Sequence, residues 1–182
     1  IILPFYRYAL NYKKSILIFQ NESDKKIYEE FSLIKNKATV IQGSGVNTKY
    51  FSPKKIKTDA KKEPIILFPS RIIREKGIIE LLKSCSELWK KGLEFRLYIV
   101  GNFDKGNRSF LLKKDIDALI NLPNKVRYLG HIKNMKIIYK KADIVVLPSW
   151  REGLSRSLIE AASMECPIIT SDVPGCNDVI EN

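Results

Sequence analysis

The chain is poor in the residues that build metal centres and disulfide frameworks. It has one histidine, His131, and three cysteines, Cys85, Cys166 and Cys176, far apart and without a CxxC pair. That pattern excludes a zinc finger or a cross-linked scaffold and fits reduced cytoplasmic thiols. No apolar run approaches the roughly 20 residues needed to cross a bilayer, and no signal-peptide pattern opens the chain. Acidic side chains are scarce: 20 Asp and Glu stand against 32 Lys and Arg, a net charge of +12. Residues 1–62 hold 13 of the basic residues and 5 of the acidic ones, so the excess is concentrated in the front third. Such a segment either attracts an anionic lipid surface over about a Debye length or is a plain solvated face. Lys54, Lys55, Lys57, Lys61 and Lys62 are not interleaved with stacking aromatics, which counts against a basic nucleic-acid-binding domain.

What is present is an alternation of apolar runs and helical stripes. With 182 residues, 45% of them hydrophobic, the chain can bury one α/β domain and part of another. It is short for a whole two-domain enzyme and begins without Met, which reads as a piece of a longer protein. Residues 1–14 are aromatic-rich, a helix or loop that either packs under a further domain or anchors at a lipid interface. A strand is expected over 15–19, a helix from an Asn21 cap to about Phe31, and a strand over 38–41 that runs into Gly43-Ser44-Gly45. Residues 48–63 read as an exposed linker. From Pro64 the pattern is regular. Strands are expected at 65–69, 95–100, 126–129, 144–147 and 168–170, with helices over 78–90, 110–120 and 135–140 and another from about Ser155. Strands joined by crossover helices imply an α/β, Rossmann-like parallel sheet with helices on both faces, its ligand edge at the carboxyl ends of the strands.

The stretch Pro148-Ser-Trp-Arg-Glu-Gly-Leu-Ser-Arg-Ser-Leu-Ile-Glu160 lies on that edge. It reads as strand end, loop and helix start, and a helix start favours phosphate beside Leu154, Ser155 and Arg156. Glu152 and Glu160 are eight positions apart at this phosphate-friendly end. Carboxylates there serve hydroxyls, so a ligand with both phosphates and hydroxyls, such as a sugar nucleotide, fits. Glu160 sits in a helix that is apolar over much of its circumference, which predicts a partly buried, partnered carboxylate. Arg71, just after a strand end, and Lys76, one loop later, are the candidate cations for a diphosphate.

The two glutamates with seven residues between them, followed by Ala161 and by Pro167 to Gly175, resemble the retaining GT-B glycosyltransferases of family four. Phe19-Gln20-Asn21, Gly43-Ser44-Gly45-Val46-Asn47, Ser70-Arg71 with Lys76-Gly77, Val100-Gly101 and Leu129-Gly130 follow in that family's order. The resemblance implies the C-terminal half of a GT-B fold. Residues 1–47 would be the end of the N-terminal, acceptor-side domain with its crossover, 48–63 a linker, and 64–182 a nucleotide-sugar-binding domain short of its final helices. It implies Arg71 and Lys76 on the donor diphosphate, Glu152 near the hexose and its phosphate, and Glu160 on the ribose. Gly153, Leu154 and Ser155 would offer backbone to phosphate, and Gly101, Gly130 and Ile132 would shape the base slot. His131 reads as a loop residue. No metal or other cofactor is implied, since fixed cations take that place.

By the same resemblance the substrate is a nucleotide-diphosphate sugar, a UDP-sugar, and the acceptor a glycan or polyprenyl-diphosphate-linked glycan in bacterial surface polysaccharide synthesis. The full enzyme would work in the cytoplasm or on the cytoplasmic membrane face, and this piece alone would bind donor without turning it over. Three positions depart from the family pattern: Ser70, Ser155 and Glu165, the last where Gly usually closes the helix, at a cost of about 1 kcal/mol if the backbone there is left-handed. A non-catalytic nucleotide-binding module and a basic nucleic-acid binder are the alternatives.

Overall fold

The computed structural model describes residues 2–35, 37–43, 45–53, 63–112, 114, 115, 117, 122 and 124–180. Its centre is a five-stranded, all-parallel sheet in the order β5-β4-β3-β6-β7. The strands are β3 (Ile65–Pro69), β4 (Arg96–Val100), β5 (Val126–Gly130), β6 (Ile144–Leu147) and β7 (Ile168–Thr170). Numbered from its own first strand, this is the 3-2-1-4-5 order of a doubly wound nucleotide-binding sheet. Registers run Ile65↔Arg96 to Pro69↔Val100, Leu67↔Val145 and Val145↔Ile168.

Strands covered on both faces read as near-continuous apolar runs, and Leu67, Phe68, Leu97, Ile99 and Val145 are fully buried. Helix α3 (Ile78–Lys90) lays Ile78, Leu81, Leu82, Cys85 and Trp89 on the sheet. Trp89 stacks on Phe95 and donates its indole N–H to the Phe95 carbonyl at 3.1 Å. Helices α4 (Met135–Tyr139) and α5 (Arg156–Ser163) follow β5 and β6. Burial pushes the thiols of Cys85 and Cys166 up to about 11, which keeps both protonated and unreactive near neutral pH. The helix expected over 110–120 lies largely outside the described residues, as do Ser44 and the lysine cluster at 54–62; Leu111, at its start, is buried.

Ahead of this sheet stand α1 (Ile2–Leu10), β1 (Leu17–Phe19), α2 (Glu22–Glu30) and β2 (Ala38–Val40). β1 and β2 pair in parallel as a separate two-stranded sheet. The Asn21 side chain caps α2, its oxygen accepting the Asp24 N–H at 2.7 Å. The stretch from 48, expected to be exposed, instead seats Phe51 in the main core against the Tyr139 ring, and Ser163 donates to the Phe51 carbonyl. A large aromatic outweighs the polar neighbours that suggested a linker.

Candidate functional site: the crevice beside β3 and β6

Strand order reverses between β3 and β6, and ligands of open α/β sheets sit outside the carboxyl ends of the strands at such a point. The loop after β3 continues beside β4, with the Ile72 N–H donating to the Asn102 carbonyl at 2.9 Å. It then makes one 3-10 turn, Arg74–Lys76, closed by Gly77 at φ +73°. A Cβ on Gly77 would stand 2.0 Å from the Pro148 carbonyl oxygen, so only glycine lets the two loops touch. The Trp150 N–H and the buried Ser149 hydroxyl both donate to the Glu75 carbonyl, at 2.8 and 3.2 Å. This fastening brings Lys76 to Glu152, Nζ to Oε1 2.5 Å, with side chains only 14% and 13% exposed. Glu152 takes one of the three ammonium donors.

Two other segments hold the Glu152 to Ser155 loop. Pro174 and Gly175 accept from the N–H groups of Glu152 and Ser155, at 3.2 and 3.0 Å. From the other side, the Asn21 amide donates to the Gly153 carbonyl at 2.8 Å. A Cβ on Gly153 would meet Gln20 Oε1 at 2.2 Å, and one on Gly43 would meet the Leu154 side chain at 2.1 Å. The Ser155 N–H, expected to face phosphate, is therefore already engaged. The α5 donors left without an intrahelical acceptor begin one residue later, at Arg156 and Ser157.

Arg156 and Ser157 line a cleft of about 530 Å³ together with Arg71, Gly101, Ile132 and Glu160, within the roughly 300–1,000 Å³ of small-molecule sites. Glu160 is 8% exposed. Its carboxylate accepts from Arg156 Nε at 3.0 Å and lies 3.3 Å from the Tyr139 hydroxyl, which also reaches the Ser157 carbonyl at 3.0 Å. Burial first, and then the Glu160 charge, raise the Tyr139 pKa well above the usual phenol range, so Tyr139 stays a neutral donor. On the facing wall Arg71 Nη1 donates to Asp104 Oδ2 at 2.7 Å. Gly101 approaches the chain so closely that a Cβ would lie 1.9 Å from the Ser70 carbonyl oxygen.

Of the residues expected at the site, Arg71, Gly101, Ile132 and Glu160 face this cleft. Lys76, Glu152, Gly153, Leu154 and Ser155 lie outside its lining, in the loops that end the adjoining strands β3 and β6. Gly130 contributes its carbonyl to the Gly101 N–H at 2.8 Å. His131, read as a loop residue, follows β5 and lines the cleft. Asp104 and Tyr139 are not singled out by the sequence. Tyr139 sits in a short helix whose spacing marks it as core, and nothing local announces its bond to Glu160, 21 positions away.

The profile of the family "Glycosyl transferases group 1" matches residues 51–182. An N,N'-diacetylbacillosaminyl-diphospho-undecaprenol alpha-1,3-N-acetylgalactosaminyltransferase of Campylobacter jejuni is 31% identical over 96% of this chain and 47% of that protein. A capsular polysaccharide biosynthesis glycosyltransferase of Staphylococcus aureus is 31% identical over 65% of this chain and 30% of its own length. The chain thus spans half or less of the length of these relatives. Among solved structures, a glycosyltransferase from Rickettsia africae superposes with a TM-score of 0.77 at 26% identity, over all of this chain and 50% of that one. HepE of Anabaena in complex with UDP-glucose superposes at 0.79 and 17% identity, over 100% and 52%, a likeness of fold. These structural neighbours are GT-B glycosyltransferases. The match over 51–182 and the Campylobacter relative together make this chain a member of the group 1 glycosyl transferase family.

Proposed function

We propose that this chain carries the donor-binding half of a retaining family-four glycosyltransferase. The enzyme transfers a hexose or N-acetylhexosamine from a UDP-sugar to a glycan or polyprenyl-diphosphate-linked acceptor in bacterial surface polysaccharide synthesis, on the cytoplasmic face of the membrane. One observation carries the reading. Arg71, the residues Arg156 and Ser157 that open α5, and the buried Glu160 line a single cleft at the switch point. A diphosphate needs the first two and ribose hydroxyls need the third. The Campylobacter relative, named for a lipid-linked acceptor, supports the acceptor class.

In this reading Glu160 accepts the ribose hydroxyls, with Tyr139 and Arg156 fixing its orientation. Ile132 and Gly101 bound the base. Arg71 and the α5 donors hold the diphosphate, and Lys76 adds a second cation whose position Glu152 sets. As the bond from sugar to diphosphate breaks, negative charge grows on the leaving phosphate. Cations and N–H groups already in place stabilise it without reorganisation. Glu152, at the loop before α5, faces the transferred sugar. Residues 1–47 belong to the acceptor-side domain.

A thermal-shift panel of UDP-, GDP- and ADP-sugars on the full-length protein tests this. Saturation near 100-fold above the dissociation constant stabilises by about 2.7 kcal/mol, a shift of several degrees that Glu160→Gln should abolish. The anomeric configuration of the product, read by NMR, tests retention. Binding without any product on lipid-linked glycan acceptors would favour a nucleotide-binding module that does no chemistry.

A further inference from the structure

We propose that Asp104 makes the cleft hold a nucleoside diphosphate less firmly than the nucleotide sugar from which it comes, and so speeds release of the spent nucleotide. This rests on the donor-site reading above. Asp104 and Arg71 both line the cleft and are joined through Nη1 and Oδ2 at 2.7 Å. The backbone fixes them relative to each other. Ile72 bridges to Phe103 in continuation of the β3 and β4 pairing, and Phe103 is held edge-on against Tyr128, ring centres 5.8 Å apart. Asp104 therefore stands beside the guanidinium on which a ligand would dock.

As a stabilising contact the pair matters little. The Arg71 side chain is 58% exposed, and exposed pairs contribute little to stability. Its effect on an arriving anion is larger, because a fixed carboxylate stands within a few ångströms of the phosphate that Arg71 would bind. Lys76 and Arg156 are likewise each paired with a glutamate, so the charges around the site nearly cancel.

In a nucleotide sugar each phosphate has one ester bond and shares the anhydride, and so carries one negative charge. After transfer the terminal phosphate keeps only the anhydride link and ends in a free phosphoryl group with a second ionisation at about pH 6, so it gains about one more negative charge at pH 7. Repulsion from Asp104 acts on that added charge. The nucleoside diphosphate is penalised more than the donor, while Arg71 serves both.

Calorimetric dissociation constants for UDP and UDP-N-acetylgalactosamine, measured on the full-length wild type, Asp104→Asn and Asp104→Glu, decide the matter. Asp104→Asn keeps the shape and an acceptor for Arg71 while removing the charge. It should tighten UDP about threefold to fivefold more than the UDP-sugar, with the difference shrinking in 0.5 M salt. Asp104→Glu should restore the wild-type ratio, and UDP should become a stronger product inhibitor of Asp104→Asn. Equal changes for the two ligands, or weaker UDP binding by Asp104→Asn, would overturn the proposal and leave Asp104 as a holder of Arg71 alone. If wild type binds neither compound, the donor-site reading fails first and takes this inference with it.

Discussion

Residues 2–47 and residues 63–180 draw on the same kind of apolar side chain and use it differently. In the second region β3, β4, β6 and α3 pack Leu67, Phe68, Leu82, Leu97, Ile99 and Leu147 into one core with almost no exposure. In the first, neither α1 nor α2 has a buried residue, and Phe5, Tyr8 and Ile16 are 73%, 77% and 82% exposed. Among the described residues there, Leu33 and Asn21 are buried. Local chemistry suffices to form the elements, as the Asn21 cap shows, but a two-stranded sheet has too little area to shield its own faces. What ties the first region to the second is polar and close-fitting instead: Asn21 on Gly153, Gly43 against Leu154, and an ion pair from Arg151 to Asp24.

That contrast can be broken most forcefully in the core. Leu67→Ala should cost about 3 kcal/mol in denaturant unfolding, whereas Phe5→Ala should stay within about 0.5 kcal/mol. A comparable loss at Phe5 would mean that α1 is covered in solution. At the loop junction of the second region, Gly77→Ala adds a methyl 2.0 Å from the Pro148 carbonyl in a left-handed backbone, and about 2 kcal/mol should be lost. Asn21→Ala probes the seam between regions. It removes both a cap and the bond to Gly153, for about 1–2 kcal/mol, with faster amide exchange at Asp24 as the local sign.

A pH titration sharpens the picture of the core. The folded-state pKa values of Cys85 and Cys166 are raised to about 11 from an ordinary 9.0, so the fold favours the neutral thiols. Their contribution is fully present below pH 9 and is lost as pH rises toward 11. Melting temperatures of a Cys85→Ala, Cys166→Ala double variant should fall less steeply over that window than those of wild type. A modest gain is expected at the end of α5. Glu165 has φ +56° and closes a reverse turn in which the Cys166 N–H meets the Ala161 carbonyl at 3.0 Å. Glu165→Gly should stabilise by about 1 kcal/mol in denaturant unfolding.

The sheet was legible because buried parallel strands leave an unmistakable imprint. Ile65–Pro69, Ile144–Leu147 and Ile168–Thr170 begin and end where apolar runs meet Pro, Gly or polar residues, and α3 occupies the whole span its stripe predicts. Glu160 was legible as a buried carboxylate because its helix neighbours are apolar. Its partner Tyr139 was not, nor was the pairing of Arg71 with Asp104, since those residues are brought together by topology across 21 and 33 positions. The engagement of the Ser155 N–H by Gly175 escaped for the same reason. Periodicity reports which face is covered, and it is silent about which polar atoms meet there.

The Gly153 carbonyl, held by Asn21, has a consequence for the whole molecule. Binding equilibria that share a loop are reciprocal. If an occupant of the crevice steadies residues 152–155, it must tighten the docking of residues 19–21 by the same factor by which that docking improves its own affinity. Severing the Asn21 amide would then be felt as a weaker grip on the occupant, measured far from the atoms removed.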